Sequence, residues 1–184
     1  MLKKVLFILS ELSTQDIDWL LTHGDRQAVP KGSILIHEGK PIDALYIVLD
    51  GTLNVCVAGL GSREIATAKC GEVLGEMSFV DGSPPSATVK ALEDSLVLRI
   101  PEEMLHEKLA QDTLFSLRFY QAITKLLSYR LRGTFDSFST KKKPKQDSLA
   151  IQSNNETVGA NLEVAKAKFD RLIQGIQLPD EKTG

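Results

Sequence analysis

Between residues 26 and 100 the chain is cut into short runs by glycine. Gly32, Gly39, Gly51, Gly61, Gly71 and Gly82 recur at roughly ten-residue spacing, with β-forming residues between them. The runs predict strands at Arg26–Val29, Ser33–His37, Ala44–Leu49, Thr52–Ala58, Glu64–Lys69, Ser86–Leu92 and Ser95–Ile100. In the fourth, Thr52 and Asn54 alternate with Leu53, Val55 and Val57, giving one wet face and one buried face. Several short strands at such spacing predict a sandwich or barrel.

Helical patterns flank this β region. Residues 10–23 place Ile17, Leu20 and Leu21 on one face, with Ser13 as N-cap, Asp16 three residues later and Gly24 at the end. Trp19 falls off that face. Pro101 opens a second helix in the position proline tolerates, and Glu102 and Glu103 suit its positive end. Asp112 then caps a longer helix, Thr113–Arg132. The apolar residues Leu114, Phe115, Leu117, Phe119, Tyr120, Ile123, Leu126, Leu127, Tyr129 and Leu131 cover more circumference than one contact face. Such a helix needs a second surface, most economically a copy of itself, so a homodimer through 113–132 is expected. Residues 133–158 are polar, carry the run KKKPK at 141–145, and read as a flexible linker with solvated lysines. Helical periodicity returns at 159–178, where Leu162, Ala165, Phe169, Leu172, Ile173 and Ile176 share a face over 161–177. A helix this short is unstable alone in water, so it is expected to dock on a protein partner or on its own domain.

Composition removes several classes. A net charge of -2 over 184 residues argues against nucleic acid as the general partner. Cys56 and Cys70 have no metal-ligand spacing, and so few cysteines suit a reducing cytoplasm. The opening run Val5–Leu9 is too short for a signal peptide, and no stretch approaches the ~20 apolar residues of a membrane span. His23, His37 and His106 have no partner at catalytic or metal spacing, so neither an enzyme nor a metal site is expected.

Two segments carry a family resemblance: VPKGSILIHEGKPIDALYIVLDGTLNV at 29–55 and GEVLGEMSFVDGSPPSATVKALEDSLVLRI at 71–100. Gly32, Gly39, Gly51, Glu38, Asp43, Tyr46–Val48, Gly75–Glu76 and Ala87–Val89 all fall in register. The chain resembles the cyclic nucleotide-binding domain, the sensor of the catabolite activator protein and of the regulatory subunits of cAMP-dependent protein kinase. The resemblance spans about residues 10–132 and implies a domain at 1–132. Its fold would be mainly β, an antiparallel jelly-roll-like β-roll with flanking helices and a long dimerisation-type helix. cAMP or cGMP would be the ligand.

The segment 71–91 is where that ligand would sit. It reads as a strand end, a Gly-Glu turn opening a short helix, a tight turn and a new strand. A helix starting at Gly75 aims free N–H groups of Glu76, Met77 and Ser78 at an anion, and Gly75 lets the backbone come close. The resemblance gives Glu76 the ribose 2′-hydroxyl, and gives Ser86, next to Ala87, a phosphate oxygen. Pro85 departs from the pattern, because the family's binders carry an arginine there. Proline offers neither charge nor N–H. Losing a charge-assisted hydrogen bond of about 1.5–3 kcal/mol weakens binding by roughly 10- to 150-fold. Lys90, Lys40 and Arg63 are the replacement cations to consider, and Tyr120, Thr124 and Tyr129 are candidate purine caps.

The resemblance to this family without a helix-turn-helix makes DNA contact unexpected, since only linker and one helix follow Arg132. The expected function is a non-enzymatic sensory protein that signals through helices 101–132 and 161–177 to a protein partner. The alternative is a degenerate, ligand-independent homodimeric scaffold or assembly adaptor.

Overall fold

The computed structural model describes residues 11–60 and 63–139, together with Ala167 and Asp170, which are both helical. The segment before residue 11, the linker from 140 to 158 and most of the expected docking helix lie outside the described residues.

Helix α1 (Thr14–His23) leads into β1 (Asp25–Val29), β2 (Ile34–Ile36), β3 (Ala44–Asp50), β4 (Thr52–Val57) and β5 (Arg63–Lys69). Then follow β6 (Val73–Leu74), α2 (Glu76–Asp81), β7 (Thr88–Ala91), β8 (Ser95–Pro101), α3 (Glu102–Gln111) and α4 (Thr113–Ser139). Every strand pair is antiparallel. The strands form two four-stranded sheets, ordered β1-β8-β3-β6 and β2-β7-β4-β5. This is the β-roll with flanking helices that the sequence implies.

The two sheets face each other over Val29, Tyr46, Val48, Leu74 and Val97 from one side and Ile36, Leu53, Ala68, Val89 and Ala91 from the other. The central strand β3 of the first sheet is buried on both faces. Alternate residues of β3 explain why: Tyr46 and Val48 enter the roll, while Leu45, Ile47 and Leu49 meet the helices. A strand covered twice reads as a continuous apolar run, which is what Ala44–Leu49 is. The helical layer adds Leu12, Ile17, Leu20, Phe79, Leu105, Phe115, Phe119, Ala122, Ile123 and Leu126.

The α1 start is a full capping box. Asp16 N–H donates to the Ser13 hydroxyl at 3.2 Å, and Ser13 N–H returns a bond to the Asp16 carboxylate at 2.6 Å. Trp19 stacks on His23 at 4.5 Å and leans on Phe115 at 5.6 Å. At α4, Phe115 N–H donates to the Asp112 carboxylate at 2.9 Å, confirming that cap.

Besides one-residue shifts at strand ends, four features differ from expectation. β6, two residues long, was not among the predicted strands. Ser86 and Ala87 precede β7, whose pairing with β4 begins at Thr88. Pro101 closes β8 and caps α3 from outside. Finally, α4 passes Arg132 to Ser139, so residues 133–139, expected as linker, are helical. Gly133 costs such a helix only about 1 kcal/mol.

Candidate functional site

The cradle is built around α2. Its N-cap, Gly75, sits at φ +86° in the left-handed region. A Cβ there would meet Ile42 Cδ1 at 2.8 Å and the Ala44 carbonyl oxygen at 3.1 Å, so the position takes glycine for two reasons. No side chain caps this helix. Gly82 ends it at φ +69°, its N–H donating to the Ser78 carbonyl at 2.8 Å. Met77 and Val80 face solvent and Ser78 is half-buried. Phe79 points inward, stacked on His106 at 4.7 Å and edge-on to Phe119 at 5.5 Å.

Glu76 is only 3% exposed. Its carboxylate accepts a hydrogen bond from Arg130 Nη1, and Arg130 Nη2 donates to the Val73 carbonyl at 2.6 Å. One guanidinium therefore joins α4 to both the start of β6 and the start of α2. The sequence reading did not single out Arg130. Its signal was present: Phe115, Phe119, Ala122, Ile123 and Leu126 form the inward stripe of α4, and Arg130 is the next residue in phase.

The other arm of the cradle is different in kind. Pro85 is buried, and its carbonyl accepts the Gly39 N–H at 2.8 Å. The connection between β2 and β3 braces both arms, since Gly39 holds Pro85 and Ile42 lies against Gly75. Glu38 ties the same connection further: its N–H donates to Thr88 Oγ1 at 3.2 Å, and its carboxylate accepts the Ala58 N–H at 2.7 Å. Ser86 is exposed and Ala87 half-buried. Lys40 and Lys90 are also exposed. The Arg63 side chain lies outside the described atoms.

The candidate caps are exposed on α4. Tyr120 and Tyr129 are 46% and 41% exposed, and Thr124 is exposed with its hydroxyl donating to the Tyr120 carbonyl at 2.7 Å. Tyr120 and Thr124 lie on the outward side of α4, as do Leu114, Leu117 and Leu131, which are 64%, 56% and 57% exposed. The apolar residues of α4 thus divide between two faces.

A second carboxylate–guanidinium pair holds α4 at its other end. Arg118 donates through Nε and Nη2 to the Asp16 carboxylate at 2.6 and 2.9 Å. Burial pushes the Asp16 carboxyl up, but Arg118 and the Ser13 N–H and hydroxyl outweigh it and hold it below the usual carboxylate range. The Arg118 guanidinium is raised in turn by its bond to Asp16. Among the described residues no group of His, Cys, Asp or Glu is placed to hold a metal, and no helix is long and apolar enough to cross a membrane.

Comparison with known proteins agrees with this architecture. Residues 26–112 match the family model "Cyclic nucleotide-binding domain". The crystal structure of a cyclic nucleotide-binding domain from Methylobacillus flagellatus superposes with a TM-score of 0.68 at 26% identity, covering 78% of this chain and 85% of that one. The chain is 27% identical over 183 residues to an uncharacterized NTE family protein of Mycobacterium tuberculosis, covering 91% of this chain but 31% of the relative. It is 32% identical over 94 residues to the cyclic AMP receptor protein of Thermus thermophilus, covering 50% of this chain and 44% of the relative. The chain thus spans less than half the length of either relative. Residues 26–112, a little under half of the chain, thus match the cyclic nucleotide-binding domain, and the roll and cradle have the fold that this match implies.

Proposed function

We propose that this chain is a non-enzymatic regulatory module in which a small-anion cradle reports through α3 and α4 to a protein partner. The observation that carries this reading is the contact between Glu76 and Arg130. The carboxylate assigned to the ribose hydroxyl already touches the helix assigned to output, so a ligand at Glu76 acts directly on α4. The ligand class is a cyclic nucleotide, cAMP or cGMP, held by the N–H groups of 76–78, by Glu76 and by Ser86. Pro85 weakens that binding by roughly 10- to 150-fold relative to an arginine. In this reading Tyr120, Thr124 or Tyr129 closes over the purine once α4 shifts.

The outward stripe Leu114, Leu117 and Leu131 supports a homodimer through α4, and 161–177 is assigned to the partner. The compartment is the cytoplasm. The similarity to the longer mycobacterial protein supports a role as the regulatory stretch of an NTE-family chain.

The second reading, a ligand-independent homodimeric scaffold, is favoured by the buried Pro85 and by a Glu76 that already has its partner. Isothermal titration with cAMP and then cGMP, to millimolar ligand, separates the two. Micromolar binding that Glu76→Ala abolishes supports the sensor, and Pro85→Arg should then tighten it at least tenfold. No heat for wild type and none for Pro85→Arg sinks the sensor in favour of the scaffold.

A further inference from the structure

The outward face of α4 is apolar at both ends and polar between them. Leu117, Leu131 and Phe135 recur at helical spacing along it, with Leu114 beside Leu117, and each is more than half exposed. Gln121, Thr124 and Ser128 lie between them and are exposed too. The chain leaves this helix at Ser139, one turn beyond Phe135. After 140–160, which has the composition of a flexible linker, comes the amphipathic segment 161–177. Ala167 and Asp170 in that segment are both helical and exposed. By helical phase both fall off the face that Leu162, Phe169, Ile173 and Ile176 share.

We propose that 161–177 folds back antiparallel on the outward face of α4, so that the chain's own tail occupies the surface where a second copy would sit. The lengths fit. At 1.5 Å per residue, 161–177 makes about 24 Å of helix and the stripe from Leu117 to Phe135 runs about 27 Å. The direction fits as well, because a tail that enters beside Phe135 stays close to Ser139 and then runs back toward Leu117. The polar middle of α4 decides between the two occupants. A second α4 on this face must cover Gln121, Thr124 and Ser128, and it brings leucine and phenylalanine only near its ends. The tail brings Leu162, Ala165, Phe169, Leu172, Ile173 and Ile176, apolar along its whole length. Thr124 can be covered without loss, since its hydroxyl already donates to the Tyr120 carbonyl at 2.7 Å. The covalent tether adds an effective concentration on the order of millimolar, which a separate copy at micromolar concentration does not match. Docking also gives a helix of this length the second surface it needs in water. This inference rests on the proposed function and deepens it. The tail assigned to a protein partner and the face assigned to the homodimer exclude each other, so a partner that takes the tail frees the dimer face.

Amide hydrogen exchange and sedimentation velocity on the full chain test it. They compare wild type, the tail variant Phe169→Asp/Leu172→Asp and the face variant Leu131→Ser/Phe135→Ser. Both pairs of substitutions lie outside the described core, and β3 and β8 amides report intact folding. Wild type at micromolar concentration should sediment as a monomer. Its amides over 162–176 should exchange at least tenfold more slowly than in the tail variant, and equally so after dilution. The face variant should lose the same protection. Tail amides that exchange as fast in wild type as in the tail variant overturn the fold-back. So does protection that the face variant keeps, or that vanishes on dilution, the mark of a second copy. The dimer reading is tested apart, by the mass of the tail variant. A tail variant that dimerises supports the exclusion. One that stays a monomer, with the wild-type tail protected, retires the homodimer while the fold-back stands.

Discussion

Two arginines of one helix make nearly the same contact with opposite consequences. Arg118 and Arg130 both reach a carboxylate only 3% exposed, and both carboxylates sit in the first turn of a short helix. There the likeness ends. Asp16 also serves its own capping box and lies beneath a helix that buries aromatic rings. Glu76 follows a glycine cap with no side-chain bond and meets α4 one turn beyond Leu126, the last buried apolar residue described in that helix. A buried ion pair therefore acts as clasp or as tether according to what surrounds it. Asp16–Arg118 joins α4 to α1, while Glu76–Arg130 joins it to the cradle.

The sharpest way to break this comparison is to cut the clasp. Arg118→Ala leaves the Asp16 carboxylate buried without its cation, which costs about 3–5 kcal/mol. Urea unfolding should show that loss as a lower midpoint with an unchanged slope. A loss no larger than that of Arg130→Ala would erase the distinction between the two pairs.

Acid should undo the clasp in the same way but less completely. The Asp16 carboxyl is depressed in the folded chain, so its contribution is full above the unfolded value of about 4. It is lost as pH falls through the lower folded value. Wild type should keep a constant advantage over Asp16→Asn from neutral pH down to about 4 and lose it below. Melting curves of the two proteins across that range check this, and curves that converge at neutral pH contradict it.

A smaller effect is expected at Gly75. Alanine there must hold the left-handed conformation, at about 1–2 kcal/mol, and its methyl must also displace Ile42 Cδ1 and crowd the Ala44 carbonyl. Ile42 has a flexible end that can yield, but the Ala44 carbonyl is backbone. Gly75→Ala should therefore lower thermal stability by more than the conformational term alone. Gly82→Ala, where a Cβ meets nothing within 4 Å, should pay only that term.

The roll was legible because its causes are local. Gly51 and Gly75 turn the chain where a side chain would collide, and the continuous run Ala44–Leu49 announces a strand covered on both faces. The Ser13 and Asp112 caps were legible for the same reason, each being a side chain bonded within three residues. Arg130 was not, because its partner is 54 residues away and only the phase of α4 marks it. Trp19 likewise finds Phe115 across the fold, which no reading of α1 alone could supply. The C-terminal boundary of α4 failed differently. Gly133 and the polar residues after it suggest a stop, yet a helix already nucleated over five turns extends cheaply through one glycine.

The smallest expected effect is the most telling. Arg130→Gln removes a contact to a carboxylate as buried as Asp16, and a contact list alone would assign it the same penalty as Arg118→Ala. Local opening makes the difference. When Arg130 is gone, one of the contacts holding the end of α4 is lost and water can reach Glu76, so the charge need not stay buried. Asp16 has no such exit, because uncovering it would expose Phe115 and Phe119. Arg130→Gln should therefore shift the urea midpoint by less than about 1 kcal/mol in unfolding free energy. The same variant should give trypsin a faster cut at Arg132 than in wild type. A midpoint shift equal to that of Arg118→Ala, with no change in cleavage at Arg132, would make Glu76–Arg130 a second clasp.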